Sequence, residues 1–295
     1  MIVVIGSNGQ LGQDLIKVGE ARGQVLTGLT HADMEITDPV SVQTVLDRLA
    51  PQVIINTSAA HGARQSTPAE QQAYFNVNAV GVWYLARWCW QHGATLVHYS
   101  TDYVFGAERD RTQPYTEADP PCPVNLYGAS KLAGEKLVSA FCPQHYILRI
   151  ASVYGAAGAR AKNNSNFVKM TLSKIQKGEN MQVVNDQHMS PTWTKAAAAK
   201  TFELLDVQAP YGLYHLAGRG VCTWYEFARE IVRLTGGRIA VEPSATPADK
   251  PDDLFLRPHY TALDNAKLRA AGLADLPDWR SSLEAYFHDT HGMAN

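Results

Sequence analysis

Ile2-Val-Val-Ile5-Gly6-Ser-Asn-Gly9-Gln-Leu-Gly12 joins four consecutive apolar residues to three glycines spaced three apart. An apolar run this short, with no alternation, predicts a strand buried on both faces. Glycines at that spacing permit a tight turn, a close approach of backbone to a ligand, and close packing of the next helix on the sheet. The helix itself is expected over Leu11–Arg22. Its N-terminus carries about half a positive charge, which suits a pyrophosphate. A glycine triplet is weak in isolation, but strand one and helix one make Gly6, Gly9 and Gly12 a candidate cofactor turn.

The same alternation continues outward. Further strands are expected at Gln24–Gly28, Val53–Asn56, Leu96–Ser100 and Tyr146–Ile150, with helices at Pro39–Leu49, Pro68–His92 and Leu126–Phe141. Near-continuous apolar strands alternating with amphipathic helices predict an α/β fold, a Rossmann-type doubly wound parallel sheet with ligands at the carboxyl ends of its strands. After Ile150 the pattern loosens. Gly155–Asn166 reads as a loop, Phe167–Lys177 as a helix, Gln182–Asn185 as a strand, Ala196–Leu205 as a helix, Gly212–Leu216 as a strand and Thr223–Thr235 as a helix. Ser244–Pro258, with its prolines, reads as irregular. The expected division is a dinucleotide-binding domain over 1–152 plus about 183–210, and a smaller C-terminal substrate-binding lobe over about 153–182 and 211–295.

Composition narrows the class. The 295 residues are 45% hydrophobic and 18% charged, with a formal net charge of −2, so neither nucleic acid nor a membrane is expected as partner. Cys89, Cys122, Cys142 and Cys222 form no metal-spaced group and read as thiols of a reducing compartment. No metal is expected. Met1–Ile5 has no charged leader character, and no apolar run approaches the roughly 20 residues that span a bilayer. The expected location is cytoplasmic.

The chemistry concentrates at Ser100-Thr-Asp102 and Tyr127-Gly-Ala-Ser-Lys131. A tyrosine and a lysine four apart share one helix face, where the ammonium is expected to lower the phenol from its usual value near ~10. A hydroxyl from Ser100 or Thr101 beside them would hold a carbonyl oxygen while Tyr127 protonates it. His98, inside the strand, reads as a core histidine. The second strand ends Gly28-Leu-Thr-His31, with neither the acid nor the arginine that would choose between ribose and phosphate. The cofactor is therefore NADPH or NADH, with Thr30 and His31 tilting toward NADPH. Asp38 before Pro39 is either an adenine-side residue or a helix cap. Trp83, Trp88 and Trp90, with Tyr84, read equally as core or as the face of a homodimer.

These features resemble extended short-chain dehydrogenase/reductases, and most closely the dTDP-4-dehydrorhamnose reductase family. The carrying phrases are Gly9-Gln-Leu-Gly12, Ser100-Thr-Asp-Tyr-Val-Phe105, Asn125-Leu-Tyr-Gly128 and Lys131-Leu-Ala-Gly-Glu135. Val184-Asn-Asp-Gln187, Ser190-Pro-Thr192 and Thr223-Trp-Tyr-Glu-Phe227 extend the match over nearly the whole chain. The resemblance implies NAD(P)H-dependent reduction of a 4-keto-6-deoxyhexose carried by a nucleotide. It makes Tyr127 the proton donor, Lys131 its partner and ribose ligand, and Thr101 the residue that orients the keto oxygen. Gly9, Gln10 and Leu11 would hold the pyrophosphate, Glu35 and Ile36 would lie near the adenine, and Tyr99 and Ala59–His61 would line the cofactor groove. Asp102 would contact the sugar.

Two departures bear on the sugar. Where the family has a tryptophan in an Arg-Thr-Ser-Trp-Val-Tyr run, this chain reads Arg149-Ile-Ala-Ser152-Val-Tyr154, which removes an aromatic platform from the sugar site. Ala63-Arg-Gln-Ser-Thr67 replaces a segment that is usually acidic. Arg257 is the candidate cation for the diphosphate, and Asn166 with its polar neighbours is a candidate sugar contact. Two alternatives stay open: a reductase or epimerase of another nucleotide sugar, and a non-catalytic subunit like the regulatory subunit of methionine adenosyltransferase.

Overall fold

Alternation along the first strand, β1 (Ile2–Ile5), sets the layering of the computed structural model, which describes residues 1–61, 67–159, 163–248 and 256–292. Val3 and Ile5 enter one apolar core, while Ile2 and Val4 enter the other. The chain continues through α1 (Gln10–Ala21), β2 (Leu26–Leu29), α2 (Pro39–Leu49) and β3 (Val53–Asn56). Next, α3 (Pro68–Phe75) passes through a π-helical turn at Asn76–Gly81 into α4 (Val82–His92). Then follow β4 (Thr95–Thr101), α5 (Leu126–Phe141) and β5 (His145–Ile150).

All six strands of the main sheet run parallel, in the order β10 (Gly212–His215), β5, β4, β3, β1, β2. The chain starts in the middle at β1, fills one edge with β2, then crosses back to β3 and builds outward. That reversal opens a crevice at the carboxyl ends of β1 and β3, the place where such sheets bind ligands. Residues of α2, α4 and α5 cover one face, while α1 and α7 (Thr194–Asp206) cover the other. Local chemistry fixes the helix starts. Asp38 accepts from the Val40 N–H and so caps α2, and Asn125 accepts from the Gly128 N–H at the start of α5.

The second half adds β6 (Val153–Tyr154), α6 (Phe167–Lys177), β7 (Met181–Val184), β8 (His188–Met189), β9 (Thr192–Trp193) and α7 (Thr194–Asp206). After β10 (Gly212–His215) come β11 (Cys222–Thr223), α8 (Trp224–Thr235), β12 (Val241–Ser244), α9 (Ala266–Ala270) and α10 (Trp279–His291). Val168, Phe227, Ile231, Trp279, Leu283 and Tyr286 form a separate apolar cluster among α6, α8 and α10.

The expected lobe limits differ from the strand pairing in two places. Gly212–His215 completes the main sheet beside β5, because Tyr214 and Leu216 belong to its apolar core. Met181–Val184 pairs instead with β12, packing Met181 and Val183 against Ala228 of α8. The tryptophans also divide. Trp88 is buried with its Nε1–H on Asp47, whereas Trp90 is 61% exposed. Ala63–Ser66 and part of Ser244–Pro258 lie outside the described residues. No described helix is long and apolar enough to cross a membrane.

Phe202 of α7 is 1% exposed and packs in the core that joins α7 to α1 and the sheet. Phe202→Ala should lower stability by about 3–5 kcal/mol. The expected result is a lower urea midpoint at unchanged slope; a loss below about 1 kcal/mol would contradict this packing.

Candidate active site

Thr101 is the last residue of β4 and the cap of a short 3-10 turn at Asp102–Val104, its hydroxyl accepting from the Tyr103 N–H. The first turn of α5 comes beside this turn and brings Tyr127 with it. The Thr101 hydroxyl interacts with the Tyr127 phenol. His61, Tyr74 and Tyr103 surround that ring edge-on, with centroids at 6.4, 6.3 and 6.0 Å. Of the two expected hydroxyls, that of Thr101 lies against the phenol. Ser100 faces the same helix further along, where its hydroxyl donates to Glu135 Oε1 at 2.5 Å.

Lys131 is almost completely buried, and its Nζ donates to the Tyr99 carbonyl oxygen at 2.6 Å. Glu135, one turn on, takes two hydrogen bonds from Arg149, at 2.9 and 2.7 Å. One face of α5 therefore carries Tyr127, Lys131 and Glu135 at four-residue steps, each meeting the end of β4. Asn78, in the π-helical turn, completes the frame. Its side chain accepts from the Ala60 N–H and donates to the Ala60 carbonyl and to Ser130 Oγ, all at 2.9 Å. Sequence reading missed Asn78. The π turn that aims it lies between two α-helical stretches of one continuous helical run, and the glycine within it, Gly81, stands only at its last position.

The phenol expectation is corrected. Burial pushes the Tyr127 hydroxyl well above its ordinary value, and Asp102, Tyr103 and Tyr74 push the same way. Lys131 spends its short hydrogen bond on a carbonyl, so it does not offset that desolvation. Tyr127 is consequently a phenol at neutral pH, the form that can give a proton. Burial brings the Lys131 ammonium down to about 8. It pushes the Asp102 carboxyl up to about 6. Thr101 donates to Asp102 Oδ1 at 3.1 Å. Thr261 approaches the same carboxyl outside hydrogen-bonding geometry, and Oδ2 is buried with no hydrogen-bond partner.

The glycine turn fits a dinucleotide. Gly6 has φ +76°, and a Cβ on Gly12 would lie 2.3 Å from the Gly6 carbonyl oxygen. No side chain caps the first turn of α1, so its N–H groups are aimed out of the protein at the turn. Ala59 and His61 follow β3 at the crevice, and the Ala60 backbone is pinned there by Asn78. Among the described residues no group of three or more His, Cys, Asp or Glu could hold a metal ion.

Several expected contacts lie elsewhere. The Tyr99 side chain points to the other face of the sheet, its hydroxyl bonded to Thr201 of α7, and only its carbonyl reaches the site. Ile36 is buried in the core against α2 and α4, and Leu11 in the core of the opposite face, so each offers a ligand only its backbone. Glu35 accepts from the Thr37 N–H and hydroxyl and pairs with His31. Thr30 is likewise engaged, with both its N–H and its hydroxyl on Asp33. Asn166 caps α6 and donates to Gln10 Oε1 at 2.7 Å, which joins the sugar-side loop to the cofactor turn. Ser152 takes a left-handed φ of +40°. Arg257 is exposed, with its charge acting on Tyr103.

With that geometry in view, the chain is 36% identical over 301 residues to a dTDP-4-dehydrorhamnose reductase of Streptomyces griseus, covering 99% of this chain and 94% of the relative. It is 35% identical over 289 residues to a dTDP-4-keto-6-deoxy-D-glucose reductase of Streptomyces niveus, covering 97% of this chain and 96% of the relative. The crystal structure of a Bacillus anthracis dTDP-4-dehydrorhamnose reductase in complex with NADP superposes with a TM-score of 0.89 at 31% identity, over 98% of this chain and 99% of that one. The family model described as the RmlD substrate binding domain matches residues 1–291, and the chain belongs to that family.

Proposed function

We propose that this protein is an NAD(P)H-dependent reductase of a nucleotide-linked 4-keto-6-deoxyhexose, converting dTDP-4-dehydro-L-rhamnose to dTDP-L-rhamnose. The observation that carries the reading is the meeting of Thr101, Tyr127 and Lys131 at the end of β4, beside a glycine turn that fits a dinucleotide. In this reading Gly6, Gly9 and Gly12, with the backbone of Gln10 and Leu11, hold the pyrophosphate, and Lys131 holds the ribose. The reduced nicotinamide, when bound, supplies the hydride.

The chain's own residues do the rest. Thr101, its hydroxyl hydrogen turned from Asp102 Oδ1, and Tyr127 donate hydrogen bonds to the keto oxygen and place its carbon against the groove. As negative charge develops on that oxygen, the Tyr127 O–H bond breaks and the new alcohol O–H bond forms. The buried frame around Asn78 and Glu135 keeps these groups from reorienting as charge appears. Asp102 Oδ2, lacking a partner, accepts a hydroxyl of the sugar. Residues of about 153–182 and 211–295 outside the main sheet, with Asn166, Ser152 and Arg257, form the sugar-nucleotide side. Ser152 there leaves a smaller, more polar floor than an aromatic ring would. A homodimer through the face bearing Trp83, Trp90 and Phe141, and a cytoplasmic setting for the free thiols, belong to the same reading.

Cofactor oxidation with the dTDP-linked 4-keto sugar, and identification of the product, tests the assignment. Formation of dTDP-rhamnose is expected. Interconversion of sugars without net cofactor oxidation would make it an epimerase, and cofactor binding without turnover would make it a binding subunit. Tyr127→Phe should lower kcat by about 10²–10⁴-fold with little change in KM; a rate near wild type would remove Tyr127 as the acid. Because Asp102 is a charged acceptor on both oxygens only as a carboxylate, kcat/KM should fall as pH drops through about 6, and Asp102→Asn should lack that limb.

Stability should move the other way. The folded value of Asp102 is raised, so its contribution is full below the ordinary 3.8 and is lost as pH rises through about 6. Asp102→Asn should therefore melt higher than wild type at pH values well above 6, with the difference vanishing in acid. A variant equally or less stable at alkaline pH would contradict the buried, unpaired carboxylate.

A further inference from the structure

Asn56, Ser58 and His98 form a polar chain ending on the Lys131 nitrogen, and one obligate donor fixes the direction of every bond in it. The Ser58 N–H and hydroxyl reach Asn56 Oδ1 at 3.0 and 2.6 Å. A backbone N–H only donates, so that atom of the amide is the oxygen. The other, Nδ2, is therefore the donor to His98 Nδ1 at 3.2 Å. A neutral imidazole that accepts at Nδ1 carries its proton on Nε2. Burial holds His98 neutral, well below its usual value. Its Nε2 stands 3.3 Å from Lys131 Nζ.

An ammonium has no lone pair, so an Nε2–H aimed at one sets donor against donor, whereas an amine accepts it. The geometry points to His98 as a positioning residue for Lys131: held by Asn56 and Ser58, its Nε2–H donates to the Lys131 amine. The inference deepens the reductase reading and rests on the place of Lys131 in it. A Cβ on Gly134 would lie 2.2 Å from the Asn78 carbonyl oxygen and 3.6 Å from His98 Nε2, so glycine lets the helix close over this contact.

The titratable and charged groups around Lys131 are His98 of β4 and Tyr127 and Glu135 of its own helix, with Asp102 beyond the end of β4; the Tyr99 phenol lies on the far face of the sheet. Glu135 favours the ammonium, but both its carboxylate oxygens are taken by Arg149. Burial and the His98 donor favour the amine. Lys131 can then gain a proton near the neutral range when a ligand's acceptor reaches Nζ, instead of carrying a fixed charge.

The histidine tautomer tests this without substrate, so its failure is distinct from failure of the reductase reading. Long-range proton–nitrogen correlation on ¹⁵N-histidine protein should show His98, identified by its absence in His98→Phe, as the Nε2–H form across neutral pH. Asn56→Asp presents a carboxylate to Nδ1 and should convert His98 to the Nδ1–H form. His98→Phe adds no charge and should raise the Lys131 titration midpoint, followed by lysine ¹³Cε signals, by roughly one pH unit toward ~10.4. The alkaline limb of the kcat/KM profile should move with it. If His98→Phe does not fold, the wild-type and Asn56→Asp spectra decide the matter alone. An Nδ1–H form in wild type, or a Lys131 midpoint unmoved by loss of the imidazole, would overturn the proposal.

Discussion

The contact between α5 and the end of β4 is the constraint on which the site depends. Tyr127, Lys131 and Glu135 descend one face of the helix, and Thr101, the Tyr99 carbonyl and Ser100 receive them. Each meeting is polar and at least partly shielded from water, so a shift of the helix would leave several groups unpaired at once. The buried Glu135–Arg149 pair is weak evidence of stability in itself, since desolvation offsets much of its attraction. Its value lies in register. Removing either partner would strand a charge at a cost of about 3–5 kcal/mol, so the helix has one favourable setting against the strand.

Burial then sets the protonation states. It keeps Tyr127 a phenol and lowers the cost of an uncharged Lys131, while Asp102 is left with an oxygen that has no hydrogen-bond partner. A phenol held ready beside Thr101 is the arrangement that reduction of a carbonyl requires. The unfavourable carboxyl of Asp102 is the kind of local defect that proteins keep where a ligand will repair it.

Local signals made much of this legible in the chain. The apolar runs at Ile2–Ile5 and Val53–Asn56, the glycine turn between β1 and α1, and the Asp38 cap all act within a few residues, and the strands and helices fall where those signals lie. The Tyr127/Lys131 spacing was equally local. Side-chain direction was not: whether Tyr99 faces the crevice or α7 depends on which helix covers each side of β4. His98 read as a core residue, and it is one, but its contact with Lys131 spans 33 positions and leaves no local mark. α10 had a usable signal in the Asp278 cap followed by Trp279, Leu283, Tyr286 and Phe287 on one face.

The central claim is that hydride passes to the C4 carbon of the sugar while Tyr127 supplies the proton. Reduction with cofactor carrying deuterium at the transferred position of the nicotinamide tests it most directly. The account predicts one deuterium at C4 of the product sugar and none in the new hydroxyl. Deuterium retained by the oxidised cofactor in every turnover, or found at another carbon of the sugar, would contradict it.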